Sequence, residues 1–301
     1  MNEVAHIEAG PIERPKERFR LPDIDWISIV RSPYFVPGVL VALALGAAYW
    51  DLVRTLPELW MNNEYYSHGV LVPLISGYII YRWWPRIKDT PVRTAYWAIV
   101  PLLFCLLCAV VAYLAETATI SSLAFVGTIW SGVLLVAGWG WAKNLALPVA
   151  YLLFSLPTFG PMIEEYTNPA QVISTKAAFA LLNIAGFQPI SPSGTTIYLN
   201  HFTLDVGVPC SGLKLIVALG SFVVFFMAVG RLKWWSNAAL IAITLPLAIL
   251  FNGLRIAMIG IVGEMYGDAA GHQFHDYSGY ITLILCFFVL FKIVRLLGWK
   301  D

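Results

Sequence analysis

Cys210 stands in Val208-Pro209-Cys210-Ser211-Gly212, where a turn delivers the chain to an apolar run that reads as a helix. The unpaired amides and positive end of a helix lower the pKa of a thiol placed there, and Lys214, four residues on, adds a cation on the same face. Arg255 lies inside the apolar run Ala238–Val262, with Asn252 three residues earlier on its helix face. An arginine within a span is expensive and by default marks a functional site. His275 opens His275-Asp276-Tyr277-Ser278-Gly279, and His272 precedes it by three residues, so the residues alone leave either as a base. A thiolate nucleophile, an imidazole that takes and returns a proton, and an arginine facing the oxyanion together perform acyl transfer through a thioester. Each group also has a plainer reading. Cys210 could simply pack, Arg255 could snorkel or pair with Glu264 or Asp268, and a loop histidine is usually just solvated. What favours the chemistry is convergence, because Cys210, Arg255 and His275 come from three successive helices and approach one membrane face.

The elements that must position these groups are transmembrane. Charged residues make up 12% of the 301 residues and AVILMFWYC residues 59%, so lipid is the main solvent. The net charge of +1 excludes nucleic-acid binding by bulk basicity. Eight apolar runs are long enough to cross roughly 30 Å of hydrocarbon: 34–53, 67–84, 95–115, 118–138, 144–160, 210–230, 236–262 and 277–297. With both termini cytoplasmic, all of the Lys and Arg residues except Arg54, Lys176, Lys214 and Arg255 fall on the inner side, as the positive-inside rule requires. His68, His201, His272 and His275 are then all on the outer side. The expectation is an all-α polytopic membrane protein with a polar cytoplasmic tail (1–33), not a cleavable leader, and a membrane-embedded domain (34–301).

Residues 161–209 form the longest segment between spans. An outer-face amphipathic helix is expected over 163–186, its apolar face carried by Ile163, Tyr166, Ala170, Ile173, Ala177, Ala180 and Leu181. A turn cluster at Pro189, Pro192 and Ser193-Gly194 follows, then a short β-hairpin with arms 195–199 and 202–206 around Asn200-His201. This segment is a possible lid, or a docking surface for an extended peptide through the hairpin edge. Cys105, Cys108 and Cys286 sit inside spans and read as packing residues. No C-x-x-C pair lies outside the bilayer and no H-E-x-x-H occurs, so neither a zinc site nor an intramembrane metalloprotease is expected, and no cofactor is called for. The competing class is a non-enzymatic transporter or assembly factor for a surface polysaccharide. Against it, the spans hold few ionisable groups besides Arg255 and Lys214.

At Val208-Pro209-Cys210-Ser211-Gly212-Leu213, Asn252-Gly253-Leu254-Arg255-Ile256 and His275-Asp276-Tyr277-Ser278-Gly279 the sequence resembles the exosortase/archaeosortase family. Tyr66-Ser67-His68-Gly69, the stretch from Phe154 to Pro161 and Gly194–Leu199 are similar to it as well. The resemblance implies a bacterial inner-membrane cysteine transpeptidase with Cys210, Arg255 and His275 as catalytic residues, and without the C-terminal soluble domain that some members carry. It favours His275 over His272. It implies as partners exported proteins whose C-terminal sorting tail has a Pro-Glu-Pro-like motif, a transmembrane helix and a basic cluster, together with an unidentified acyl acceptor. Members are often encoded near exopolysaccharide genes. Lys214, Asn252, His68 and His272 are expected to support the site or contact substrate. His68 reads as structural or substrate-positioning, with a second base as the other option.

Overall fold

The computed structural model describes residues 35–190, 194–230 and 232–299. The chain divides into two units, Met1–Ala48 and Tyr49–Asp301. In the first, the described part is helix α1 (Phe35–Ala48). The expected polar tail lies outside the described residues, as do Pro192 and Ser193 of the turn cluster.

The second unit is helical apart from one hairpin. Its helices are α2 (Trp50–Asn62), α3 (Leu71–Ile87), α4 (Ile99–Leu114), α5 (Ala118–Ala137), α6 (Trp139–Tyr151), α7 (Gly160–Ile184), α8 (Leu213–Val229), α9 (Trp234–Tyr266) and α10 (Asp268–Leu296). Among the described residues, four helical segments are long and apolar enough to cross a membrane, and up to six are if each bent pair counts as one span. The chain is therefore a mostly helical, multi-pass membrane protein. Several expected spans have different edges. Residues 67–70 form turns, so α3 begins only at Leu71 and Ser67 and His68 precede it. The run 144–160 is not one helix. The chain leaves α6 through short 3-10 turns at Leu152–Ser155 and Pro157–Phe159 and resumes in α7 at an angle of 73°. Pro157 supplies the break, since the residue before a proline is driven out of the helical region, and Leu156 is indeed extended.

Helices α9 and α10 are joined by Gly267 alone, whose φ of +90° is one that side chains resist. At 33 residues α9 of this helical hairpin is about 50 Å long, more than the roughly 30 Å of hydrocarbon. The β-hairpin packs here. Strands β1 (Thr196–Tyr198) and β2 (Thr203–Asp205) pair antiparallel with Ile197 opposite Leu204. Alternation sends Ile197, Leu199, Phe202, Leu204 and Val206 into a core with Ala178 and Leu182 of α7 and Ile256 and Ile259 of α9. The Phe202 ring occupies the space left by two glycines, since a Cβ on Gly263 or Gly271 would lie 2.6 or 3.0 Å from it. Glu264 of α9 accepts from the His201 backbone N–H at 2.9 Å and lies 3.0 Å from its Nδ1. The hairpin is thus anchored to α9 at its tip.

Helix α7 follows the expected face only in part: Ile163 is buried and Ala170, Ala177 and Leu181 are half-buried. Tyr166, Ile173 and Ala180 are exposed, whereas Ser174, Thr175, Ala178 and Leu182 are buried against the bundle. In water the apolar stripe turns inward. For a helix bathed in lipid, large apolar residues can face outward while small and polar ones pack against a neighbouring helix. Ala177 shows how close that packing is: a Cβ on Gly253 of α9 would come within 2.7 Å of the Ala177 side chain.

Candidate active site

Cys210 ends a 3-10 turn, Val208–Cys210, and α8 begins only at Leu213. The thiol is therefore one short turn ahead of the helix, not on its first residue. Gly212 between them has φ +84°, and a Cβ there would lie 2.9 Å from Asn252 Nδ2, so a side chain is excluded by both backbone and space. The Cys210 N–H donates to Gly207 O at 2.9 Å and the Ser211 N–H to Val208 O at 3.1 Å. Both amides are spent within the turn.

His275 does not open its helix. It sits in the second turn of α10, which begins at Asp268. Its Nε2 is 3.1 Å from Cys210 Sγ, and its Nδ1 is 3.4 Å from Asp276 Oδ1. The Cys210 residue is 4% exposed while the His275 side chain is 32% exposed, so the pair lies at the edge of the packed interior. His272, which the residues alone could not exclude, is directed elsewhere: its Nδ1 is 2.9 Å from Asp268 O on its own helix.

Arg255 is buried and pairs with neither Glu264 nor Asp268. Its Nε donates to Ser278 Oγ at 3.0 Å, Nη1 to Pro209 O at 3.5 Å and Nη2 to His275 O at 3.4 Å. Ser278 in turn donates to His275 O at 3.0 Å. The guanidinium thus touches the backbone on both sides of the Cys210–His275 contact, and three of its five N–H donors are engaged there. Asn252, one turn earlier on α9, donates to Cys210 O at 2.8 Å and to Ser174 Oγ at 2.9 Å.

Lys214 is the second residue of α8, and its ammonium lies 5.2 Å from the centre of the Tyr280 ring. His68 is buried in the turn ahead of α3, where burial first, and the nearby Lys214 cation second, push its imidazole down to about 4. Its Nε2 makes no hydrogen bond among the described residues. An apolar pocket of about 210 Å³ lies between α7, α8 and α9 and borders Ser174, Ser211 and Gly212. Among the described residues no group of three or more His, Cys, Asp or Glu side chains is arranged to hold a metal ion.

Sequence reasoning missed Tyr65 and Ser174. The Tyr65 hydroxyl donates to Val208 O at 3.3 Å, and Ser174 Oγ to Ser211 O at 3.1 Å. Neither lies in a motif with chemistry of its own. The one signal for Ser174 is that it interrupts the apolar side of its helix.

The family model described as transmembrane exosortase matches residues 60–292. Comparison with curated proteins returned no match, and comparison with solved structures returned none either.

Proposed function

The chain belongs to the transmembrane exosortase family, and from that premise we propose that it is a membrane cysteine transpeptidase acting on the C-terminal sorting tails of exported proteins. The observation that carries this reading is the 3.1 Å contact between Cys210 Sγ and His275 Nε2, with Arg255 bonded to the backbone on either side of it.

Sγ attacks the carbonyl carbon of the scissile peptide as its proton passes to His275 Nε2. The tetrahedral intermediate collapses to a thioester, and the tail departs with that proton on its new amine. An incoming amine or water then attacks the thioester, gives up a proton to His275 and frees the thiol. Because the Cys210 and Ser211 amides are already bonded within the turn, the oxyanion needs a side-chain donor. Arg255 supplies it with the N–H groups not engaged by Ser278, Pro209 and His275. The apolar pocket beside Ser211 and Gly212 suits a substrate whose neighbouring segment is apolar.

In this reading the protein resides in a bacterial inner membrane with both termini in the cytoplasm and opens its site to the outer face. The distribution of Lys and Arg supports this orientation. Co-expression with a tagged tail protein tests the reading. Wild type is expected to release the tail, and Cys210→Ala and Cys210→Ser to insert normally and release none. Full processing by Cys210→Ala would defeat the thioester route and favour an assembly-factor role.

A further inference from the structure

From Val206 to Ser211 every carbonyl of the segment leading into and through the nucleophile turn has a donor, and most of those donors are side chains from other elements. Gln171 of α7 donates to Val206 O at 2.9 Å, and the Cys210 N–H to Gly207 O. Tyr65 donates to Val208 O, Arg255 to Pro209 O, Asn252 to Cys210 O and Ser174 to Ser211 O. Asn252 and Ser174 form one relay. The amide of Asn252 donates to both Cys210 O and Ser174 Oγ, and the Ser174 hydroxyl donates in turn to Ser211 O.

We propose that Asn252 and Ser174 are positioning residues for the nucleophile, holding the Cys210 and Ser211 carbonyls so that Sγ stays on His275. The proposal rests on Cys210 being the nucleophile. Asn252 is 1% exposed and Ser174 2%, so no water replaces a lost donor. Asn252 Oδ1 is itself buried with no hydrogen-bond partner among the described residues. An unsatisfied buried acceptor is destabilising, and an apolar side chain would fill the volume without that penalty. The amide is therefore kept for its two donors, and both act on the turn. Gly212 completes the fit, since its missing Cβ is what lets the Asn252 amide reach under the turn. A displacement of about 1 Å at a reacting atom can lower a rate about 10²-fold, and a shift of that size would part Sγ from Nε2.

The test uses the full chain in membranes, with Asn252→Leu, Ser174→Ala and Ser174→Thr. Tail processing gives kcat and KM, and mass spectrometry gives the rate at which iodoacetamide alkylates Cys210 at pH 7 and at pH 9.5. Asn252→Leu is expected to lower kcat about 10²-fold with little change in KM. It should slow alkylation at pH 7 about tenfold and leave it nearly unchanged at pH 9.5, where a thiol ionises without help. Ser174→Ala should move the same readings by about fivefold, and Ser174→Thr, which keeps the hydroxyl, should stay within about twofold of wild type. An Asn252→Leu protein that inserts and keeps the wild-type ratio of alkylation at the two pH values would overturn the proposal, whatever its thermal stability. If Asn252→Leu does not insert, the Ser174 pair decides: equal ratios in Ala, Thr and wild type overturn it. Alkylation needs no substrate. Processing by Cys210→Ala would therefore end the acyl-transfer reading, while the alkylation ratio still judges the positioning.

Discussion

Helices α4 and α9 are both apolar enough to cross a membrane, yet they meet different surroundings. In the span Tyr96–Leu114 only 11% of the most apolar stretch is buried in the protein, against 50% in Trp234–Tyr266. Leu103, Phe104 and Leu107 of α4 are exposed, whereas α9 turns Asn252, Arg255, Ile256 and Ile259 inward. Hydrophobicity places a helix in the bilayer but says nothing about which face meets protein. The polar residues say that, because an amide or guanidinium in the spans has to find partners, and lipid tails provide none. On α9 they mark the inner face and, with it, the site.

The sharpest way to break this contrast is on α10, where two histidines lie three residues apart. His275→Ala is expected to lower processing at least about 10³-fold, because the base is lost outright. His272→Ala should retain wild-type processing, its ring being bound to its own helix. Equal losses in a tail-release assay would mean that the 3.1 Å contact does not identify the base.

Next comes Arg255→Lys, which keeps the charge and removes the planar fork. With donors lost at Ser278, Pro209 and His275, processing should fall about 10²- to 10³-fold. Phe104→Leu on the exposed face of α4 should leave the same assay unaltered.

Burial also separates His68 from His201, whose side chain is 80% exposed. In the folded protein His68 stays neutral down to a pH of about 4, while in the unfolded chain it takes up its proton near 6.5. Between those values the unfolded state binds more protons. The stability of the neutral form is therefore complete above pH 6.5 and is lost as pH falls toward 4, by on the order of 3 kcal/mol. Thermal unfolding in detergent at pH 7.5 and 4.5 should show a larger loss for wild type than for His68→Gln. Parallel losses would show that His68 does not carry the effect.

The smallest effects belong to packing. Leu290 on α10 is fully buried and Leu107 on α4 is exposed. Leu290→Ala should destabilise by about 2 kcal/mol or more and Leu107→Ala by less than about 0.5 kcal/mol, read from melting midpoints. Similar shifts would mean that α4 is covered by another protein surface in the membrane.

Much was legible without coordinates. Composition and the length of the apolar runs require a membrane-embedded helical chain. Alternation of Ile197, Leu199, Phe202, Leu204 and Val206 specifies the hairpin and its register, because period-two patterning has only one way to bury its apolar side. Arg255 stood out as an unusual residue for its place, and Cys210 and His275 because they converge with it on one membrane face. Helix boundaries were less legible, since an apolar stretch looks continuous across a break such as Leu156-Pro157.

Only the tertiary structure decided which groups meet. His272 and His275 lie three residues apart, about 60° around a helix of 3.6 residues per turn, so spacing alone cannot choose between them. The packing of α10 on α9 makes the choice. Ser174 and Tyr65 reach the nucleophile turn across 37 and 143 residues of chain, respectively. Nothing local to either residue records that meeting, because a hydroxyl's partner is set by where helices pack. The buried side of α7 was legible only in part, since Ile163 belongs to the expected face and Ser174 and Thr175 do not. Amphipathic patterning assumes water on one side, and a helix in lipid sorts its residues by how closely they let a neighbour approach.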